Sequence, residues 1–297
     1  MVQPDLGLAS VPVLDQFQLP RSCHTFKCRS GNKEQTIYIV GTAHVSAASC
    51  DDVRAVIRAV KPEVVMLELC QERTQLLTVQ KQDALTLPQA FAAWRTGAST
   101  PFQAAYCYLL GQIGDALEVM PGEEFRVALQ EASKVDAKVL LGDRRLHITL
   151  ARVWAALTAW EKTRLVWMFV HSGLTMSKIK QDLADEIESL KETDAMTAAI
   201  KEMGIEFPAL LTPLIYERDM FMVKQLRSLP PKWTRVVAVV GAGHLPGMRA
   251  HWDTDIDLED ICTVPENMPS RIKWGRLAVT AVLTGSCLYY GTVARRR

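Results

Sequence analysis

The sequence contains no Cys-x-x-Cys pair, and its 7 cysteines are scattered and odd in number. Neither a disulfide framework nor a structural zinc site is expected; Cys23 and Cys28 flank His24, but no second half of a zinc site follows. It also lacks a P-loop, a dinucleotide fingerprint, a Gly-x-Ser-x-Gly elbow and a His-Glu-x-x-His helix, so the chemistries those motifs carry are not expected. Asp253, Asp255 and Asp257 begin like a calcium loop, but Leu258 and Val264 stand where glycine and glutamate are needed. Residues 1–20 hold Asp5, Asp15 and three prolines and no basic residue ahead of an apolar run. No secretory leader is expected, and the body of the protein is expected to face the cytosol. An excess of basic charge is missing as well: 34 basic against 33 acidic residues in 297 give a net of +1, which argues against a nucleic-acid partner.

That near-zero sum hides a segregation. Residues 271–297 carry six basic residues and no acid, leaving 28 basic against 33 acidic in the first 270. Leu277 to Ala294 is an uncharged run of 18 residues between Arg276 and Arg295–Arg297, with Tyr289 and Tyr290 near its far end. About 17–25 apolar residues span a bilayer, and interfacial aromatics and flanking arginines suit that use. A buried terminal helix is the alternative. A core helix rarely sends three arginines past its buried end, so a C-terminal transmembrane anchor over 275–294 is expected. A short, modestly hydrophobic span with a basic tip resembles anchors of the mitochondrial outer membrane.

Along the chain, residues 1–34 read as an irregular lead-in. Thr36–Val40 reads as a strand, and 47–60 as an amphipathic helix with Val53, Val56, Ile57 and Val60 on one face. Glu63–Leu69 is a second strand, which makes a βαβ unit with parallel strands. Pro121–Gly122 opens another helix, Lys138–Leu141 is a third strand and Arg235–Val240 a fourth, and Thr254–Leu258 reads as an edge strand. Helical pattern fills about 148–229. The fold class is therefore α/β: one domain over 35–265, with a mainly parallel sheet and a large helical insertion, plus the anchor.

Ionisable residues stand at the ends of these strands. Gly41-Thr42-Ala43-His44 and Gly241-Ala242-Gly243-His244 are near-copies; Glu68 lies inside an apolar strand; Gly142-Asp143-Arg144 ends the third. Ligands of open α/β sheets bind at the carboxyl ends of the strands. Imidazoles presented from rigid strands suit metal ligation or acid–base work. A carboxylate in a buried strand is costly unless paired, metal-bound or protonated. Glu68 is then either a salt-bridge partner of Arg73 or another arginine, or a metal ligand or general base beside His44 and His244. Arg218 sits in Glu217-Arg218-Asp219, three charges in an otherwise amphipathic helix; a solvated turn is the default for such a run, but Tyr216, Met220, Phe221 and Val223 crowd it with apolar side chains. One of the three is expected to point inward, and Arg218 would clamp a carboxylate or stabilise an oxyanion.

Six separated runs together resemble the TraB/PrgY (pheromone-shutdown) family: GTAHVS (41–46), VVMLELCQERTQLL (64–77), PGEEFRVALQEA (121–132), VLLGDRRLHITLARVW (139–154), YERDMFM (216–222) and VVGAGHLPGM (239–248). The resemblance implies a fold similar to the erythromycin-esterase and ChaN-like group. It also implies a site like that of distant relatives that act as metal-dependent proteases, with His44, His244 and Glu68 as ligands of a divalent ion of unspecified identity. Glu68, Arg218, Asp143 and Arg144 are the implied catalytic set; Glu124 and Arg126 match a Pro-Gly-x-Glu-x-Arg motif. The chain most resembles the eukaryotic TraB-domain proteins. Two functions are therefore expected: a tail-anchored, metal-dependent, peptidase-like hydrolase, or a non-catalytic adaptor or tether with protein partners in mitochondrial membrane organisation or contact sites.

Overall fold

A computed structural model describes residues 17–30, 33–43, 47–77, 88–89, 92, 95–96, 122–165, 204–205 and 207–264. The expected anchor, about half of the expected helical insertion, and His44 lie outside the described residues. No helix among the described residues is long and apolar enough to cross a membrane.

Among the described residues, five strands form one mixed sheet: β1 (Cys23–Ser30), β2 (Lys33–Thr42), β3 (Val64–Leu67), β4 (Lys138–Leu141) and β5 (Arg235–Gly241), in the order β1-β2-β5-β3-β4. β1 and β2 pair antiparallel from Cys23↔Val40 to Ser30↔Lys33. The other pairs are parallel, so β2, β5, β3 and β4 all end on one rim. β5, last in sequence, lies between β2 and β3, which the crossover through α1 (Ala47–Val60) joins.

Side chains alternate across the sheet, and helices cover both faces. Tyr38, Val40, Val65, Leu67, Val237 and Val239 pack against α1 and α2 (Glu123–Lys134). Ile37, Ile39, Val64, Met66, Val236 and Ala238 pack against α4 (Glu217–Arg227) and the segment carrying Trp252 and Ile256. Burial on both faces is why the inner strands read as continuous apolar runs. α3 (Leu146–Ala156) follows β4; its Val153, with Leu157, packs against Phe207, Leu210 and Ile215, and these lead through one π-helical turn, Thr212–Tyr216, into α4. Two short helices, α5 (Leu245–Ala250) and α6 (Leu258–Cys262), follow β5.

Two local expectations are corrected. Residues 23–30, expected in an irregular lead-in, form the edge strand β1: Phe26 and Cys28 face the core while Lys27 and Arg29 alternate outward, so polar residues masked the strand pattern. Thr254–Leu258 is not a strand; Asp257 caps α6 instead, its carboxylate accepting from Glu259 N at 2.8 Å.

Candidate functional site

The rim of the parallel strands carries a buried cluster of charges. Glu68 follows β3 and stays in the ladder through its N–H, which donates to the Val239 carbonyl at 3.0 Å. Its Oε2 accepts from the Gly241 N–H at 2.7 Å, so the turn that ends β5 fixes the carboxylate. Its Oε1 takes Arg218 Nη2 and lies 3.1 Å from His244 Nε2. Arg218, in the first turn of α4, also donates from Nε and Nη2 to the two oxygens of Asp143, each at 3.0 Å. Its remaining Nη1 reaches the Leu214 carbonyl at 3.1 Å, inside the π-helical turn. Asp143, just past β4, receives Arg73 Nη2 as well. His244, in a 3-10 turn after β5, has its Nδ1 2.5 Å from Asp219 Oδ1.

These groups are almost fully removed from water: Glu68 is 4% exposed, Asp143 7%, Arg218 9%, Asp219 1% and His244 3%. Buried charges persist only when paired and hydrogen-bonded. Asp143 is held below the usual carboxylate range: burial raises it, but the guanidinium charges of Arg218 and Arg73 outweigh burial. Burial pushes Asp219 up despite its bond to His244. For His244, burial favours the neutral ring, yet the negative charge of Glu68 and the bonds to Asp219 and Glu68 carry its pKa up to about 9. The ring is therefore an imidazolium at neutral pH, flanked by carboxylates on both nitrogens.

Of the expected residues, Glu68, Asp143, Arg218 and His244 come together. Arg144 turns away into a second cluster: its side chain reaches Glu217 Oε2 at 2.5 Å, the Ile261 carbonyl at 2.6 Å and the Pro213 carbonyl at 2.7 Å, while only its N–H, at 2.7 Å, supports Asp143. Glu124 is buried on α2. His44 follows Ala43 and lies outside the described residues. The register sets Thr42 beside Gly241, so the two Gly-x-x-His runs leave from paired strands. The arginine partner of Glu68's carboxylate is Arg218; Arg73 instead reaches the Glu68 carbonyl at 3.2 Å. Asp219 was missed as a site residue. Its signal was the run Glu217-Arg218-Asp219, where one inward charge was expected and all three are buried. They face different ways: Glu217 toward Arg144 and Arg152, Arg218 toward Glu68 and Asp143, and Asp219 toward His244.

Glu68 and His244 bear on the expected metal. They bring an oxygen and a ring nitrogen within 3.1 Å, and the second ring nitrogen of His244 has a carboxylate partner, as metal-bound imidazoles usually do. Both donors are engaged in ion pairs, and no third His, Cys, Asp or Glu among the described residues completes a ligand set with them.

The profile of the TraB/PrgY/gumN family matches residues 26–254, which contain the whole sheet apart from the first residues of β1. The chain belongs to the TraB/PrgY/gumN family. A TraB domain-containing protein of Homo sapiens is 35% identical over 92% of this chain and 77% of its own length. The corresponding protein of Bos taurus is 35% identical over 92% and 76%. An uncharacterized protein of Methanocaldococcus jannaschii is 29% identical over 88% of this chain and 65% of its own length. The TraB-type match takes in β2, β3, β4, α4 and β5, the elements that supply Glu68, Asp143, Arg218, Asp219 and His244.

Proposed function

We propose that this TraB-family chain is a hydrolase acting on peptide-like amides or esters, attached by residues 275–294 to an organelle membrane, the mitochondrial outer membrane, with its body facing the cytosol. The supporting observation is the meeting of Glu68, Arg218 and His244 at the carboxyl ends of β3 and β5. In this reading Glu68 accepts the proton of the attacking water and passes it to the leaving group, and Arg218 neutralises negative charge on the reacting carbonyl oxygen. Glu68, His244 and His44 would hold a divalent ion, which supplies Lewis acidity when bound. The test is turnover of fluorogenic peptide and ester panels by the purified full chain, with and without added zinc or manganese. Loss of turnover in Glu68→Gln and His244→Ala supports the reading. No turnover under any of these conditions, or turnover indifferent to both substitutions, defeats it.

One observation favours a second reading. The cluster is internally balanced, with Arg73, Arg218 and protonated His244 set against Glu68, Asp143 and Asp219, as a purely structural tie between strand ends would be. In that reading the domain is an adaptor or tether that binds protein partners at the membrane. Rescue of organelle morphology in null cells by a folded Glu68→Gln/His244→Ala chain would select it.

A further inference from the structure

We propose that Asp219 is a positioning residue of this site, holding the His244 ring with Nε2 directed at Glu68, and that Gly247 is the residue that makes room for it. The proposal rests on the hydrolase reading for its consequence, but its geometry stands apart from it.

An imidazole ring in a polar cluster can turn over and exchange its two nitrogens. Asp219 Oδ1 lies 2.5 Å from Nδ1, so Nδ1 is committed and Nε2 is left for Glu68, 3.1 Å away. Asp219 is adjacent in sequence to Arg218, so the first turn of α4 supplies both the partner of Glu68 and the orienter of His244.

The second oxygen of Asp219 explains a glycine. Oδ2 is buried and has no hydrogen-bond partner among the described residues. A Cβ placed on Gly247 would fall 1.8 Å from Oδ2 and 2.7 Å from the carboxyl carbon, far inside van der Waals contact. Gly247 is not among the residues with positive φ, so the requirement for glycine is one of space and not of backbone conformation. The Asp219 carboxylate therefore occupies the space where a Cβ at 247 would stand. Two of the three glycines in the run Gly241-Ala242-Gly243-His244-Leu245-Pro246-Gly247 thus have separate tasks. Gly241 gives its N–H to Glu68, and Gly247 gives the Asp219 carboxylate its place.

Asp219→Ala, Asp219→Asn, Gly247→Ala and the double variant Asp219→Ala/Gly247→Ala, made in the full chain, test this. The readouts are the ring ¹⁵N signals of His244, the melting temperature, and kcat/KM on whichever substrate the panel yields. Asp219→Ala and Gly247→Ala are expected to change the His244 ring signals in the same direction and to lower kcat/KM about 10- to 100-fold, the usual loss when an outer partner is removed. Asp219→Asn, whose Oδ1 still accepts from Nδ1, is expected to recover part of that loss. Gly247→Ala is expected to lower the melting temperature, and the double variant to melt no lower than Asp219→Ala alone, because the methyl then enters vacated space. Unchanged ring signals in Gly247→Ala, or additive melting losses in the double variant, overturn the proposal. If no substrate is turned over, the hydrolase reading fails while the ring signals and the melting cycle still decide this one.

Discussion

Arg144 Nη1 meets Glu217 Oε2 at 2.5 Å with the arginine side chain fully buried and the glutamate 8% exposed. Arg152 approaches the same carboxylate from α3, with Nε and Nη2 each 2.7 Å from one of its oxygens. Both arginines also grip α6 and its exit: Arg144 at the Ile261 carbonyl, and Arg152 at the carbonyls of Asp260, 2.9 Å away, and Thr263, 2.7 Å away. This clamp holds the chain just before it runs toward the basic C-terminal segment.

Removing Glu217 leaves two guanidinium groups without their shared carboxylate, one of them with no access to water. Breaking a buried pair from one side costs about 3–5 kcal/mol. Glu217→Ala is expected to lose about that much in urea unfolding, and Arg152→Ala clearly less, because Arg144 still pairs with Glu217. Equal losses for the two would show that burial of Arg144 does not govern the clamp.

The ion pairs of His244 make stability depend on alkaline pH in metal-free protein. Burial opposes the charged ring, but the Glu68 charge and the two carboxylate bonds prevail and raise its pKa from 6.5 to about 9. A pKa raised on folding stabilises in full below the unfolded value and less as pH climbs through the folded one. The stability gap between the parent chain and His244→Gln should therefore be widest at pH 6 and shrink between pH 6.5 and 9.5. Chelator-treated samples unfolded in urea across that range give the measurement; a constant gap would contradict it.

Glu131 gives the opposite sign. The bond from Arg58 lowers its pKa to about 2; burial works against this, and Lys134 adds to it. A depressed carboxylate pKa stabilises above the unfolded value near 4.5 and is lost as pH falls through the folded one. The stability advantage over Glu131→Gln should fade between pH 4.5 and 2 and hold steady from pH 5 to 7. Acid-unfolding curves of the two proteins would show whether it does.

Gln35 is a fully buried amide that ties the start of β2 to the loop before β5. Its Nε2 donates to the Pro230 carbonyl at 2.8 Å and the Trp233 carbonyl at 2.7 Å. Gln35→Leu keeps the volume and leaves both carbonyls without this donor, at about 1–3 kcal/mol for a buried unsatisfied group. A melting temperature equal to the parent's would mean that water replaces the amide.

Much of this molecule was legible before its structure. The spans of α1 and β4 and, to within a residue, the start of α2 and the span of β5 follow from apolar periodicity and from the glycine and proline that bound them, because buried faces leave a period in the sequence. Six separated runs were enough for the family. The rim position of Glu68, Asp143 and His244 also followed, since parallel strands must end on one side. β1 was not legible because an edge strand carries outward polar residues that dilute the alternation, and α6 was misread because its cap lies among three alternating aspartates.

What the tertiary structure alone decided is which charge meets which. Asp143 and Arg144 are neighbours in sequence, as are Glu217 and Arg218, yet each pair is divided between two clusters: Asp143 with Arg218 at the rim, and Arg144 with Glu217 in the clamp. The same is true of Asp219, which looked like one more solvated charge and is the partner of His244 across a space that only a glycine at 247 leaves open. Periodicity reports which face of an element is buried. The partner of a buried charge depends on the angle at which α4 crosses the strand ends, and that angle is set by packing between residues about 75 or more positions apart, as Arg218 is from Asp143 and from Glu68.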